Sequence, residues 1–487
     1  MKRPHILIFN PDQWRGDVLG HMGNPGAVTP NLDAAARADF VSFRHAFVQN
    51  PVCTPSRCSF MTGWYPHVRG HRTMFHMLRP DEPCLLRTLK QEGYHVWWGG
   101  KNDLVPAQNG YGEYCHVKYE PPHQPKGGEE DPSWRGQPGS DTYYSFYLGP
   151  LRTRPGQAEY YDTDWGWVRG AIEHIRTYRG DQPMCIYLPI EFPHPTYGVE
   201  EPYYSMIDRA KVPDRIPANA WAGKPCILPG IAATQNLQGW SEGRWRELRA
   251  TYYGMCARVD HQFALVCQAL KDAGIYDDTA IFFFADHGDY TGDYGLVEKT
   301  QNTFEDCLTR VPFLVKPPAG VPCRARVSEA MVELIDMPAT VEALTGIAPR
   351  HWHFGRSLLP AAAGQTDEHR DAVFCEGGRL AGERHCMELE SAPNQDPSGL
   401  YYPRLRLQRS DGPAHGKATM CRTREFKYVR RLYESDELYD LRADPGETVN
   451  RINDPALASE LAALKDRMLR WFQETADVVP LEPDRRW

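Results

Sequence analysis

The stretch NPVCTPSR, residues 50–57, decides how this sequence is interpreted, and it continues as CSFMTGWYPH through residue 67. Thr54 and Pro55 have the pattern of a helix start, with threonine as the cap and proline at the first helical position. Cys53 then precedes a helix N-terminus, where backbone N–H groups and the helix dipole attract anions. Arg57 lies about one turn further along, so its guanidinium can face the same anion. The pattern therefore predicts a site for sulfate or phosphate beside Cys53.

A second group of polar residues follows two short apolar runs that lie far apart in the sequence. His5–Phe9 and Ala280–Ala285 are each typical of a buried strand. In open α/β sheets, sites form outside the carboxyl ends of the strands, so residues that follow neighbouring strands meet at one edge. Taken separately, each polar pair could simply end a strand and form a turn. Together with Cys53 they favour a metal site. Its predicted ligands are Asp12, Gln13, Cys53, Asp286 and His287.

The Cys53 motif and these polar pairs resemble the type I sulfatases of the alkaline phosphatase superfamily, which also contains the phosphonate monoester hydrolases. In that family the cysteine of a Cys-x-Pro-x-Arg motif is oxidised to formylglycine, and the hydrate of this aldehyde is the nucleophile. The resemblance covers nearly the whole chain and includes the stretches GGKND at 99–103, FPHP at 192–195 and GLVEK at 295–299. The catalytic residues that it implies are Cys53, Arg57, Lys101, His194 and Lys299.

Three positions depart from the pattern of many sulfatases. Gln13 stands where many have a second aspartate, and His287 stands where many have an asparagine. Both of these departures resemble the phosphonate monoester hydrolases. Asp103 stands two residues after the lysine, where many sulfatases carry a histidine. This last departure leaves open which group accepts the proton when the covalent intermediate collapses, and Asp103 is one candidate.

Three functional hypotheses follow. The first is a sulfatase that hydrolyses a sulfate ester through a formylglycine made from Cys53 and a single divalent metal ion. The alternative is a phosphonate monoester or phosphodiester hydrolase with the same nucleophile, and the third is an inactive homologue that binds an anion or a metal. The resemblance implies a small-molecule sulfate ester as substrate and a formylglycine-generating maturation enzyme as partner. Oxygen ligands favour calcium, whereas His287 also brings manganese into consideration, with magnesium as a further alternative.

The fold class follows from the alternation of strand and helix patterns in the first part of the chain, which favours an α/β sheet with helices on both faces. The resemblance implies a large mixed sheet of the alkaline phosphatase type. It also implies a small C-terminal α+β domain with an antiparallel sheet, whose closing signature the ELYDL stretch at 437–441 resembles. We place the boundary near Gln365, with a catalytic domain at 1–365 and a smaller domain at 366–487.

Apolar runs and helical spacing predict the individual elements. Further predicted strands are Tyr94–Trp98, Met184–Ile190, Ile281–Ala285, Pro312–Lys316, Ala418–Arg430 and Glu437–Leu441. Predicted helices are Pro83–Glu92, Trp165–Tyr178, Arg244–Ala273 and the amphipathic Ala458–Ala476. Two segments lack periodicity, Pro121–Pro150 and Leu380–Gly416. Long loops in compact domains are often lids or binding loops, so aromatic side chains near Tyr143–Tyr147 could pack on a substrate or within the loop.

Composition argues against several classes of protein. The net charge is −8, so no broad basic face favours nucleic acid. No apolar run approaches the roughly 20 residues of a membrane span, and the run after the basic start is too short for a signal peptide. Thirteen cysteines without a CxxC pair fit reduced thiols better than a disulfide framework. The sequence therefore predicts a cytoplasmic protein without nucleic-acid or membrane partners, and it leaves a homo-oligomer open.

Overall fold

The structure, a computed structural model, describes residues 3–121, 132–153, 157–218, 221–388 and 396–486. The strands are β1 (His5–Pro11), β2 (Val41–Phe47), β3 (His95–Gly99), β4 (Val117–Tyr119), β5 (Tyr147–Leu151), β6 (Met184–Ile190), β7 (Tyr197–Glu200), β8 (Thr279–Phe284), β9 (Phe313–Lys316), β10 (Arg326–Glu333), β11 (Val373–Gly377), β12 (Ala418–Arg422), β13 (Phe426–Arg431) and β14 (Glu437–Asp440). The α-helices are α1 (Pro30–Ala38), α2 (Cys53–Thr62), α3 (Pro66–Arg69), α4 (Leu85–Gln91), α5 (Thr163–Thr177), α6 (Ile227–Gln235), α7 (Glu242–Asp272), α8 (Asp306–Thr309), α9 (Asp336–Thr345), α10 (Leu359–Ala362), α11 (Tyr402–Gln408) and α12 (Ala458–Thr475).

The central sheet contains eight strands in the order β10-β2-β9-β8-β1-β6-β3-β4. Strand β9 runs antiparallel to both of its neighbours, whereas the other pairs are parallel. This arrangement confirms the predicted large mixed sheet. Strand β1 lies between β6 and β8, where it is covered on both faces, and its continuous apolar sequence is typical of that position.

Helices pack on both faces of the sheet, as predicted. Successive side chains of a strand point to opposite faces, so Phe283 and Phe284 of β8 lie on opposite faces of the sheet. The Phe283 ring meets Phe263 of α7 with a centroid separation of 5.1 Å. The Phe284 ring meets Phe60 of α2 at 5.0 Å. Helix α2 therefore packs directly on the strand whose end carries Asp286 and His287.

The C-terminal part forms a second, antiparallel sheet in the order β11-β12-β13-β14. Helix α12 covers this sheet, and its Trp471 ring stacks on Phe374 at 4.5 Å. The predicted antiparallel sheet and closing helix are thus confirmed. The boundary near Gln365 between domains 1–365 and 366–487 stays a prediction.

One predicted strand is wrong in its extent. Ala418–Arg430 is a hairpin of β12 and β13, with a turn at 423–425 in which the Thr423 N–H donates to Phe426 O. The turn residues Thr423, Arg424 and Glu425 lack the glycine, proline or asparagine that usually marks a turn, so the sequence does not reveal it.

Most of the other predicted elements lie within two residues of their predicted bounds. The two irregular segments also contain regular structure, because β5 begins within Pro121–Pro150 and α11 lies within Leu380–Gly416. Residues 122–131 and 389–395 of these segments lie outside the described residues. All thirteen cysteines are free thiols. Among the described residues, no helix combines the length and apolar character needed to cross a bilayer.

Candidate active site

The candidate site lies at one edge of the central sheet, where four parallel strands end. Strands β3, β6, β1 and β8 are neighbours in that order and all point their carboxyl ends to the same edge. The side chain of Asn10 joins the two central ends, because its Nδ2 donates to the Phe284 carbonyl at 2.9 Å. The residues that follow these ends are Lys101 after β3, His194 after β6, Asp12 and Gln13 after β1, and Asp286 and His287 after β8. The predicted convergence of Asp12, Gln13, Asp286 and His287 is therefore present, and Lys101 and His194, which the resemblance implies, lie at the same edge.

Cys53 enters the site from α2. The helix begins at Cys53 itself, with Val52 as an N-cap in extended conformation. The prediction that Thr54 caps the helix is wrong: Thr54 is already helical, and its buried hydroxyl has no hydrogen-bond partner among the described residues. Cys53 is fully buried. It therefore lies in the first turn, where the helix dipole favours negative charge.

Arg57 lies one turn after Cys53 and bridges the ends of β1 and β8. Its Nη2 is 3.0 Å from Asp12 Oδ2 and 2.8 Å from Asp286 Oδ2, and its Nε donates to Asp286 Oδ2 at 2.9 Å. Ser56 adds a hydrogen bond from its hydroxyl to the Asp286 carbonyl at 2.6 Å. All of these side chains are buried. Burial opposes the charge of Arg57, but Asp286 and Asp12 hold its pKa well above the usual value.

Four donor groups cluster as a metal site requires. The carboxylate, thiol and imidazole ligand atoms all lie within 4.8 Å of one another, and they belong to Asp12, Cys53, Asp286 and His287. His287 Nδ1 donates to the Gly288 carbonyl at 2.9 Å, so its Nε2 lone pair points into the cluster, 3.4 Å from Asp12 Oδ1. Burial keeps the pKa of His287 below its usual value. The imidazole is therefore neutral, as a metal ligand must be.

Gln13 is held beside this cluster in a fixed orientation. Its backbone has a φ of +70°, and its Nε2 donates to Asp289 Oδ2 at 2.5 Å. Its Oε1 accepts a hydrogen bond from Lys299 Nζ at 2.7 Å. Asp289 is fixed in turn by the Tyr197 hydroxyl at 2.8 Å. The amide oxygen thus faces Lys299, and the prediction that Gln13 is a metal ligand stays a prediction.

Lys299 and His194 form a hydrogen-bonded pair. Lys299 Nζ lies 3.0 Å from His194 Nε2 and 2.8 Å from Glu298 Oε1. His194 Nδ1 donates to the Pro195 carbonyl, so Nε2 is the acceptor of the Lys299 proton. Burial, Lys299 and Lys101 hold the pKa of His194 well below its usual value. Burial lowers the pKa of Lys299, but Cys53 and Glu298 outweigh it, so the lysine carries the charge of this pair.

Lys101 reaches the site from the opposite end of the strand row. Its Nζ lies 2.7 Å from Asp12 Oδ2, 3.0 Å from Asp103 Oδ2 and 4.0 Å from Cys53 Sγ. The preceding Gly100 has a φ of +131°, and a Cβ there would lie 2.1 Å from the Pro189 carbonyl oxygen. Only glycine allows this close approach of β3 and β6, and the Lys101 N–H uses it to donate to Pro189 O.

Several residues of the site were not predicted from the sequence. Glu298 and Asp289 fix Lys299 and Gln13, and Arg404 of α11 pairs with Glu298 at 2.9 Å. Glu298 and Asp289 are sequence neighbours of predicted residues, which is a signal that could have found them. Arg404 follows its partner by more than a hundred residues in an irregular segment, so no local pattern indicates it.

Comparison with known proteins identifies the family. A family model described as Sulfatase matches residues 4–347, which is more than half of the chain. The chain belongs to the sulfatase family. This result confirms the predicted family and, at the level of the family, the predicted class of sulfuric ester hydrolase.

Curated relatives of this sulfatase extend over nearly its whole length. A multifunctional alkaline phosphatase superfamily protein, PehA, from Trinickia caryophylli is 26% identical over 98% of this chain and 96% of its own. An ulvan-active sulfatase from Formosa agariphila is 25% identical over 96% of this chain and 81% of its own. A choline-sulfatase from Rhizobium meliloti is 25% identical over all of this chain and 90% of its own.

A solved structure supports the fold of the sulfatase. The phosphonate monoester hydrolase of Agrobacterium radiobacter superposes with a TM-score of 0.77 at 24% identity and covers 99% of this chain and 100% of that chain. At this identity the likeness shows a shared fold, which confirms the predicted alkaline phosphatase type.

Proposed function

We propose that this sulfatase hydrolyses a small-molecule sulfate ester with a formylglycine, made from Cys53 by a maturation enzyme, as its nucleophile. The observation that supports this most is the position of Cys53. It lies at the start of α2, within 4.8 Å of the ligand atoms of Asp12, Asp286 and His287. Lys101 Nζ lies 4.0 Å from Cys53 Sγ, and the charge of Lys299 also acts on this thiol. With Arg57 one turn along α2, the positive charge near Cys53 suits a substrate with a tetrahedral anion.

The donor set fits one divalent metal ion. Asp12 and Asp286 supply carboxylates and His287 supplies a neutral imidazole nitrogen. We propose Gln13 as a further ligand through its amide oxygen, because its backbone N–H donates to Asp286 Oδ1 at 3.1 Å and so holds the residue beside the cluster. A bound metal would act as a Lewis acid and lower the pKa of a hydroxyl on the modified Cys53. Oxygen donors favour calcium, and the His287 nitrogen keeps manganese and magnesium as alternatives.

The cations of the site orient the sulfate group for in-line attack. Lys101 lies 4.0 Å from Cys53 Sγ, so its ammonium can contact a sulfate oxygen beside the nucleophile. Arg57 holds Asp12 and Asp286 in place through its ion pairs with both. Fixed charges of this kind stabilise the transition state without reorganisation, because they are already aligned before the reaction begins.

Lys299 and His194 act on the leaving-group side. Negative charge develops on the ester oxygen as the sulfur–oxygen bond breaks, and Lys299 is the charged member of the pair. We assign Lys299 as the electrostatic clamp and His194 as the group through which a proton reaches the leaving oxygen. In the resting site the proton of the 3.0 Å Lys299–His194 hydrogen bond lies on Lys299, so it reaches the leaving oxygen through His194 only as negative charge develops there.

The second hydroxyl of an aldehyde hydrate provides a way to release sulfate from the covalent intermediate, which a serine or cysteine nucleophile lacks. Loss of its proton expels sulfate by C–O cleavage and restores the aldehyde, so ester and water give alcohol and sulfate. Asp103 is one candidate for the acceptor of that proton, because its carboxylate pairs with Lys101 at 3.0 Å. This position carries histidine in many sulfatases, and the acceptor stays open in our proposal.

A phosphonate monoester or phosphodiester hydrolase is the second candidate function. It is favoured by Gln13 and His287, which depart from the pattern of many sulfatases and both lie at the candidate metal site. The nucleophile and the three cations would serve phosphorus as well as sulfur, so activity on both esters is compatible with the site.

The decisive experiment compares kcat/KM for 4-nitrophenyl sulfate with that for 4-nitrophenyl phenylphosphonate. Cys53→Ala is the blank, and Cys58→Ala is the matched control, because Cys58 is a buried thiol on the same helix. A sulfate preference of about tenfold or more, which is about 1.4 kcal/mol of transition-state binding, supports the sulfatase proposal. A clear phosphonate preference would replace it with the second candidate.

Two direct analyses accompany the kinetics. Mass analysis of the Cys53 peptide from the native host tests the modification, and an unmodified thiol would contradict it and favour an inactive binding protein. Metal analysis of protein purified without chelator tests the ion, and stoichiometric zinc would contradict calcium, manganese and magnesium alike. The cytoplasmic location, a homo-oligomer and the absence of nucleic-acid partners stay predictions.

A further inference from the structure

The segment 396–408, which the sequence presents as irregular, is tied to the leaving-group side of the site. Arg404 Nη1 lies 2.9 Å from Glu298 Oε2, and Glu298 Oε1 lies 2.8 Å from Lys299 Nζ. Arg404 also pairs with Glu388 at 3.0 Å, and all of these side chains are buried. The segment is therefore fixed by two successive ion pairs to the lysine that faces the leaving oxygen.

Tyr401 is the aromatic side chain that this tether brings to the site. It immediately precedes α11, and its ring lies 5.4 Å from the Phe146 ring and 5.2 Å from the Arg404 guanidinium. The hydroxyls of Tyr143 and Tyr144 donate to the carbonyls of Ser398 and Pro397, which fixes the two loops to each other. The contacts of Tyr401 with Phe146 and Arg404 use its ring, and its hydroxyl has no hydrogen-bond partner within the part of the chain that the structure describes.

The tether places Tyr401 on the Lys299 side of the site, because its ring lies 5.2 Å from the Arg404 guanidinium and Arg404 is joined to Lys299 through Glu298. Burial and Glu298 raise the pKa of Tyr401 to about 12, and Lys299 and Lys101 both oppose this rise.

Exposure indicates the side from which a substrate enters. The side chains of Asp12, Arg57, Asp286 and His287 are fully buried, whereas that of Lys101 is 22% exposed. Tyr401 is half-buried. A substrate therefore approaches past Lys101. Its alcohol part, on the proposed leaving-group side, lies toward Lys299, to which the segment with Tyr401 is tethered.

We propose that Tyr401 determines substrate specificity by packing against a ring of the leaving alcohol, with its hydroxyl donating a hydrogen bond to that alcohol. An aromatic face with a free phenol suits an alcohol that carries a flat ring face, aryl or glycosyl, better than a small acyclic alcohol. This inference rests on the proposed function, because it takes the Lys299 side of Cys53 as the leaving-group side.

The test uses matched ring-bearing and acyclic probes. The values of kcat/KM for 4-nitrophenyl sulfate and ethyl sulfate are compared in wild type, Tyr401→Leu and Tyr401→Phe. Tyr402→Leu is the control, because Tyr402 is the next residue and stacks on Tyr144 instead. Dissociation constants of benzenesulfonate and ethanesulfonate provide the same comparison without turnover, and thermal unfolding checks that each variant is folded.

We expect Tyr401→Leu to lower the ratio of aryl to ethyl kcat/KM, and of the matching sulfonate affinities, by about tenfold. Tyr401→Phe should lower aryl kcat/KM several-fold through loss of one hydrogen bond, and Tyr402→Leu should leave the ratio within about twofold of wild type. An unchanged ratio in Tyr401→Leu, or an equal loss in Tyr402→Leu, would overturn the inference. Absence of Cys53-dependent sulfate turnover in wild type would instead refute the proposed function, and the sulfonate affinities would still test Tyr401.

Discussion

Replacement of Lys299 by methionine tests the proposed leaving-group side most directly. The ammonium of Lys299 is buried and already hydrogen-bonded to Gln13 Oε1 at 2.7 Å and to His194 Nε2 at 3.0 Å, so it is aligned before the reaction starts. Removal of one such preorganised donor costs about 2.7–4 kcal/mol, or about 10²–10³ in kcat. We expect this loss for sulfate esters of alcohols that are poor leaving groups, because most charge then develops on the ester oxygen.

The same variant should lose much less with 4-nitrophenyl sulfate, about tenfold, because the aromatic ring delocalises the developing charge. The assay is kcat for a series of aryl sulfates with leaving groups of increasing pKa, in wild type and Lys299→Met. The expected result is a steeper dependence on leaving-group pKa in the variant. The stability cost is limited to about 1–3 kcal/mol, because Glu298 keeps its ion pair with Arg404 at 2.9 Å.

A matched control separates chemistry from folding. Lys224 is another buried lysine, paired with Glu305 at 3.0 Å, and it lies outside the candidate site. Lys224→Met should lower the free energy of unfolding by about 3 kcal/mol and leave kcat of the folded enzyme unchanged. Equal losses of kcat in both variants, or a loss in Lys299→Met that is the same for every leaving group, would refute the assignment of Lys299.

Three further predictions concern the nucleophile, the metal and the C-terminal segment. Cys53→Ser should give a single turnover and a trapped covalent adduct, visible by intact mass, because a serine ester cannot collapse to an aldehyde; sustained turnover would contradict the mechanism. Chelation should lower the melting temperature and calcium should restore it. The reason is that a ligand at a hundred times its Kd stabilises the folded protein by about 2.7 kcal/mol. An unchanged melting temperature would count against a metal at Asp12 and Asp286. Burial, with Arg404 and Arg379, lowers the pKa of His415 to about 3. Between about pH 6.5 and 3, therefore, His415 is protonated in the unfolded chain but not in the folded protein. The free energy of unfolding then falls by up to about 1.4 kcal/mol for each unit that the pH falls within this range. His415→Gln should flatten this slope in urea unfolding at about pH 5, and an unaltered slope would show that His415 is not its source.

The main strands and their polar ends could be predicted from the sequence because local patterns determine them. The apolar runs of β1 and β8 are continuous, as in strands covered on both faces. Parallel strands end at one edge, so Asp12 and Asp286 had to meet there once β1 and β8 were neighbours. Lys101 and His194 were expected from the resemblance to the sulfatases alone, and the structure places them after β3 and β6.

The remaining features depend on contacts that no local pattern records. Arg57 was expected to face an anion, whereas its ion pairs with Asp12 and Asp286 depend on how α2 packs across two strand ends. The pairing of Arg404 with Glu298 joins an irregular segment to a loop after β8. Ion pairs of this kind are determined by tertiary packing, so nothing in the local sequence around one charged residue indicates its partner.

The central place of β1 has a consequence for the timing of folding. Its residue His5 pairs with Thr279 of β8, so the strand cannot complete its pairing until about 270 further residues exist. At the usual synthesis rate of about 5–20 residues per second, this delay lasts roughly 14–55 seconds. Cys53 is fully buried in the finished fold, beneath residues from both strands. The interval before β8 emerges is therefore a period in which Cys53 is accessible in an extended chain, as the proposed modification requires. The order of strands in the sheet sets the length of this interval.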